Sequence, residues 1–156
     1  MEPRAELLEF PAAYGKATTK LDWASVETRI EQAERYWLAS TRSDGRPHVI
    51  PIDGIWLDGR WFFGGAAETV HQRIVGENPN VVMHLEDAMK AVIVEGAAER
   101  IIPTPEVAKR LAEATRTKYG YPTSPDDYAG GAWSLEPKRV FAWTSFPTDC
   151  TRFVFE

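Results

Sequence analysis

Two Asp-Gly pairs, Asp44-Gly45 and Asp58-Gly59, sit close together in the chain, each flanked by short apolar runs. Asp-Gly is a strong hairpin signal, because a tight two-residue turn needs left-handed backbone that Gly adopts without steric cost. Two in succession specify an antiparallel meander. The runs they separate, Tyr36–Thr41, Pro47–Trp56 and Arg60–Gly64, read as strands. Gly54 inside the second run signals a bulge or a close approach by another group. A doubly wound parallel sheet is disfavoured, since strict alternation of strand and helix is missing.

The rest of the chain fits the same plan. Asp22 can cap a helix to about Arg35, with Trp23, Val26, Ile30 and Ala33 at helical spacing. A short helix is expected from about Thr69 to Glu77, ended by Asn78-Pro79. Thr104-Pro105-Glu106 is a strong helix start, and that helix should run to about Lys118 and stop at Gly120. Further strands are read at Asn80–Leu85, Ala91–Ile101, Arg139–Ser145 and Arg152–Phe155, with a loop from Tyr121 to Gly131. Residues 1–20 read as an N-terminal arm and 21–156 as the domain. Six or seven strands with three intervening helices imply a closed or partly closed antiparallel barrel, mainly β with helices.

A chain of 156 residues suits one compact domain. The net charge of -5 gives no field that would attract nucleic acid, although a local phosphate pocket remains compatible with it. No apolar run approaches the length of a membrane span, and the N-terminus lacks the apolar core of a signal peptide. The single cysteine, Cys150, cannot form an intrachain disulfide and has no activating neighbour. These features together lead to the expectation of a soluble, cytoplasmic protein.

Two segments could carry chemistry. In Gly45–Gly54, Pro47 and Pro51 each remove a ladder donor, which suits an edge or a bulge where backbone groups stay free for a ligand. A plain edge strand explains the same pattern. In Phe63–Arg73 a strand ends in Gly64-Gly65 and a helix begins, so backbone N–H groups and the helix dipole can hold an anion. Thr69, His71 and Arg73 add polar groups there, while a solvated Gly-rich turn is the plainer alternative. His48, His71 and His84 lack metal-ligand spacing, and no metal site is expected. No nucleophile elbow or Gly-rich nucleotide loop occurs.

At these residues the chain resembles the pyridoxamine 5'-phosphate oxidase-like, FMN-binding split-barrel superfamily. It looks closest to the actinobacterial branch of deazaflavin (coenzyme F-420)-dependent oxidoreductases. The resemblance rests on Tyr36–Thr41, Asp44–Pro51, Gly54–Gly59, Thr69–Val82, Val92–Glu99 and Val140–Trp143, in family order over most of the chain. It implies a six-stranded antiparallel split β-barrel that forms a homodimer, with the cofactor in a groove between subunits. It implies FMN or F-420 as cofactor and hydride transfer to or from a small organic substrate. The flavin-like ring would lie against His48, Val49, Ile50 and Pro51. The phosphate would lie near Phe63, Gly64, Thr69, Val70 and His71, and Trp143 and Arg152 would reach cofactor or substrate. His71 stands where the family usually has Lys. A non-catalytic flavin-, deazaflavin- or tetrapyrrole-binding protein, or a cofactor-free dimeric scaffold, is the alternative. No residue is singled out as acid or base, although His48 is a candidate.

Overall fold

The computed structural model describes residues 2–156. The elements in order are β1 (Arg4–Leu7), α1 (Trp23–Gln32), β2 (Tyr36–Thr41), β3 (Pro47–Ile52), β4 (Gly54–Leu57), β5 (Arg60–Phe63), α2 (Val70–Glu77), β6 (Asn80–His84), β7 (Val92–Ile101), α3 (Pro105–Tyr119), β8 (Ala132–Ala142) and β9 (Thr151–Val154). All ladders are antiparallel, and the main path runs β1-β9-β8-β7-β6-β2-β3. β5 leaves this path, pairing with β4 on one side and with the start of β8 on the other. The chain itself joins β3 to β4 at Asp53, so one bent segment links the β3 end of the main path to the β4–β5 branch off β8. The architecture is mainly β with three α-helices, consistent with a split barrel.

The barrel is split along β8. β7 pairs with β8 along its whole length. On the opposite edge β5 takes Trp133–Leu135 and β9 takes Arg139–Ala142. Pro137 falls at the changeover, where a missing N–H costs no ladder bond on that edge, and a bulge in β8 that leaves Lys138 unpaired opposite Glu95/Gly96 accommodates it.

Nine strands replace the six or seven read from the sequence. β3 and β4 divide what reads as one strand. The break follows from Gly54, whose missing side chain lets the Trp61 indole lie against its backbone; a Cβ there would come within 2.5 Å of Trp61 Cε2. β8 begins at Ala132, well before the expected Arg139, a start hidden by Gly130-Gly131 and Pro137. Within the arm, Arg4–Leu7 pairs in register with β9.

Local chemistry fixes the helices. The Asp22 carboxylate accepts from Ser25 N–H at 3.0 Å, and Thr104 Oγ1 accepts from Val107 N–H at 3.2 Å. Gly120 ends α3 at φ 71°, a left-handed cap suited to Gly. The main core lies inside the barrel around Trp61, Tyr36, Leu38, Met83, Leu135 and Phe153, covered at one end by Trp23, Val26 and Ile30 of α1. A smaller apolar cluster of Ile55, Phe62 and Leu111 seats α3 on β4 and β5.

Candidate functional site

A cleft of about 470 Å³ opens where the β3–β4 bend, the end of β5, and α3 with the loop after it converge. Pro51, Asp53, Phe63, Gly64 and Gly65 line one side, and Leu111, Thr115, Tyr119, Tyr121 and Tyr128 the other. A smaller hollow of about 320 Å³ adjoins it, sharing Phe63–Gly65, Tyr128 and Ala132 and reaching Gln72 and Arg100. Three residues singled out from the sequence, Pro51, Phe63 and Gly64, therefore meet in one cleft.

The α3 wall is anchored at its last turn. Tyr119 donates its hydroxyl to Glu34 O at 2.7 Å and lies 3.0 Å from Gly54 O, while Gly54 N–H donates to the same hydroxyl at 3.0 Å. Lys118 Nζ donates to the Tyr36 hydroxyl at 2.8 Å and to Gly54 O at 3.3 Å, and lies over the Tyr36 ring. Burial pushes the Lys118 amine down to about 8. At the mouth, Tyr121 donates to Asp53 at 2.7 Å, Arg35 pairs with the same carboxylate, and the Tyr119 and Tyr121 rings stack with centroids 5.6 Å apart.

The turn between β5 and α2 is tightly braced. His71 Nε2 lies 2.8 Å from Gly64 O, and Gln72 donates to the same carbonyl at 3.0 Å. Gly65 has φ 116°, and a Cβ there would come within 2.5 Å of the His71 ring. Thr69 Oγ1 donates to Ala66 O at 2.7 Å instead of capping α2. The first helical bond is Arg73 N–H to Thr69 O. The N–H groups of Val70, His71 and Gln72 precede it, so they have no partner within the helix.

The residues on β3 divide by face. Ile50 and Ile52 pack against the core, and His48 shares their parity. His48 stands opposite Ser40, and both His48 Nε2 and Ser40 Oγ are buried without a hydrogen-bond partner. Burial, then Arg42 and His71, lowers the affinity of the His48 imidazole for a proton. Val49 and Pro51 point outward, Val49 with half its surface exposed.

Outside the barrel, residues in register run Pro51–Trp37–His84–Ile93–Phe141–Arg152 across five ladders. Arg152 lies at the far end of this face, bound to Glu6 through Nε at 2.8 Å. Trp143 lies beyond the end of β8, with its ring 5.9 Å from Phe146, which also contacts Phe10. One chain therefore does not bring Trp143 and Arg152 to the cleft. Cys150 is fully buried, and burial raises its thiol. Among the described residues no group of three His, Cys, Asp or Glu could hold a metal, and no helix is long and apolar enough to cross a membrane.

A flavin-type cofactor can be tested against this geometry. The orphan amides of α2 and the exposed Arg73 side chain, which forms no ion pair among the described residues, suit a phosphate. The His71 ring is buried against Gly64 O and is not free to face a phosphate. β3, paired only with β2, has a free edge beside which a ring could lie. The residues fit the group through backbone donors.

Residues 23–144 match the family model described as pyridoxamine 5'-phosphate oxidase, and the chain belongs to that family. Solved structures of similar fold include an F-420 reductase, with 23% identity, a TM-score of 0.57, and 73% of this chain and 94% of that one covered. A conserved hypothetical protein from Mycobacterium tuberculosis has 20% identity and a TM-score of 0.68, covering 82% and 88%. A heme storage protein from Vibrio cholerae has 16% identity and a TM-score of 0.61, covering 77% and 93%. At these identities the likeness is one of fold. No curated protein sequence matches the chain.

Sequence reasoning passed over Arg35, Tyr119 and Tyr121, and gave Asp53 no role of its own although it lies in the Gly45–Gly54 segment. The only hint was the Tyr119-Gly120-Tyr121 run, read simply as a helix end and loop.

Proposed function

We propose that the chain is a cytoplasmic, homodimeric oxidoreductase that uses FMN or F-420 to transfer hydride to or from a small organic substrate. The observation that carries this reading is the single cleft joining the outward residue Pro51 to Phe63 and Gly64, next to the orphan amides of α2. When bound, the isoalloxazine or deazaflavin ring supplies the hydride chemistry. The amides of Val70 to Gln72 and the Arg73 guanidinium hold the phosphate. His71 and Gln72 keep the turn in shape by binding Gly64 O. Val49 and Pro51 give the ring an apolar backing and exclude water. A two-fold partner would bring its own Trp143 and Arg152 toward this groove from the far end of the outer face.

A second reading is a non-catalytic protein that holds a flavin, deazaflavin or tetrapyrrole, or a scaffold without cofactor. The inward His71 ring favours it, since the side chain that stands where the family usually has Lys is buried against Gly64 O and does not face a phosphate. Titration with FMN, F-420 and hemin, followed by absorbance and by the mass of whatever copurifies, separates the readings. Binding of FMN or F-420 with turnover of the reduced cofactor supports the oxidoreductase; binding without turnover, or hemin alone, supports the second reading.

A further inference from the structure

The cleft under α3 has a polar mouth whose charges cancel. Arg35 is its cationic side chain, and Asp53 its carboxylate. The two are paired, and Asp53 also accepts from Tyr121. The guanidinium faces the Tyr119 ring at 5.8 Å, and Tyr119 stacks on Tyr121 with only 16° between the planes. Deeper in, the walls are apolar or aromatic, with Phe62, Phe63 and Leu111 at the floor. Flat aromatic walls favour a flat guest. A cation whose charge is already met by a carboxylate has little left to attract an anion, and that carboxylate repels one.

We propose that this cleft binds an uncharged, planar, largely apolar small molecule, and that Asp53 sets this preference by holding Arg35 and Tyr121 away from anionic guests. As the substrate class of the oxidoreductase this rests on the reading above, because Pro51 and Phe63 place the cleft beside the cofactor strand. As a binding site it stands on the cleft alone.

The test uses two fluorescent probes of similar shape on the protein without added cofactor: uncharged N-phenyl-naphthylamine and anionic anilinonaphthalene sulfonate. Wild type should bind the uncharged probe more tightly. Asp53→Asn should tighten the anionic probe by about threefold to fivefold, the size an exposed ion contact supports, and leave the uncharged one unchanged. Arg35→Met, at an exposed position, carries the same test with opposite sign: the anionic probe weakens and the uncharged one holds. It keeps the proposal testable should Asp53→Asn fail to fold. Tyr121→Ala should weaken the uncharged probe by removing its stacking wall. Equal affinities in wild type would overturn the proposal, as would an Asp53→Asn variant, folded by circular dichroism, that is indifferent to probe charge. Undiminished binding to Tyr121→Ala would place the probe elsewhere and overturn it too. FMN and F-420 are absent throughout, so a protein that binds neither cofactor can still pass, and one that binds a cofactor can still fail.

Discussion

Gly54→Ala tests the packing logic of the barrel at one atom. Gly54 is buried at the β3–β4 bend, and the added Cβ would lie 2.5 Å from Trp61 Cε2 and 2.9 Å from Cζ2, with Nε1 closer still. Trp61 is fully buried and packs against Tyr36 and Phe63, with centroids 5.3 and 4.8 Å away, so the indole has nowhere to retreat. Nor is the backbone free, since Gly54 N–H and O are both engaged by Tyr119 and Gly54 is in register with Phe63. Overpacking of this kind costs on the order of 3 kcal/mol, at the upper end of its range because neither side can yield. For a domain of this size, ~3 kcal/mol lowers Tm by about 6–12 °C. Thermal unfolding followed by Trp fluorescence gives the loss directly. The stricter test is a double-mutant cycle with Trp61→Phe, which opens space for the Cβ. The double variant should be more stable than the sum of the single losses predicts, by at least about 1 kcal/mol. A Gly54→Ala protein melting within a degree or two of wild type, or a cycle that is strictly additive, would refute the reasoning.

Tyr119→Phe removes the hydroxyl that serves Gly54 and Glu34, leaving the buried Gly54 N–H without this partner. It should cost about 1–3 kcal/mol, read as a lower urea midpoint at unchanged m-value. His48 binds its proton more weakly in the folded chain than its unperturbed value of about 6.5. The unfolded chain therefore takes up a proton that the folded chain refuses. The His48 contribution is complete above about 6.5 and is lost as pH falls through the folded value. His48→Gln should flatten this window in a series of melts between about pH 5 and 8, and an unchanged slope would count against it. Trp37→Arg alters an outward, partly exposed aromatic side chain on the outer face, so it should spare the fold while weakening self-association by at least about 2 kcal/mol, roughly 30-fold. Sedimentation of wild type as a 17.6 kDa species at micromolar concentration would show that this face does not carry a dimer.

Elements set by contacts a few residues apart were legible in the sequence. The Asp58-Gly59 turn, the Asp22 and Thr104 caps and the Gly120 stop act within one turn of chain and lie where their chemistry places them, while Asp44-Gly45 turns the chain through a longer loop in which Gly45 alone is left-handed. β1 was not legible, because Arg4–Leu7 gains its structure from β9 at the other end of the chain. The first half of β8 was masked by Pro137, which is tolerated only because β8 changes partners there. The site divides in the same way. Pro51, Phe63 and Gly64 were visible as punctuation in strands; Arg35 and Asp53 meet at the end of the β2–β3 register, and Tyr121 joins them only after α3 docks.

The alternation along β3 also constrains the chemistry. Two-residue periodicity sends His48 and Ile50 inward and Val49 and Pro51 outward, so the four residues first grouped together serve opposite faces. A ring lying on the outer face meets Val49, Pro51 and backbone, none of which titrates. His48 Nε2 is buried behind the strand, against the interior where Ser40 also lacks a partner. A proton from His48 would have to cross the sheet to reach a ligand on that face. On the proposed reading β3 therefore orients and shields the ring, while any proton exchanged with a substrate comes from solvent, since the Tyr121 hydroxyl at the cleft mouth already donates to Asp53.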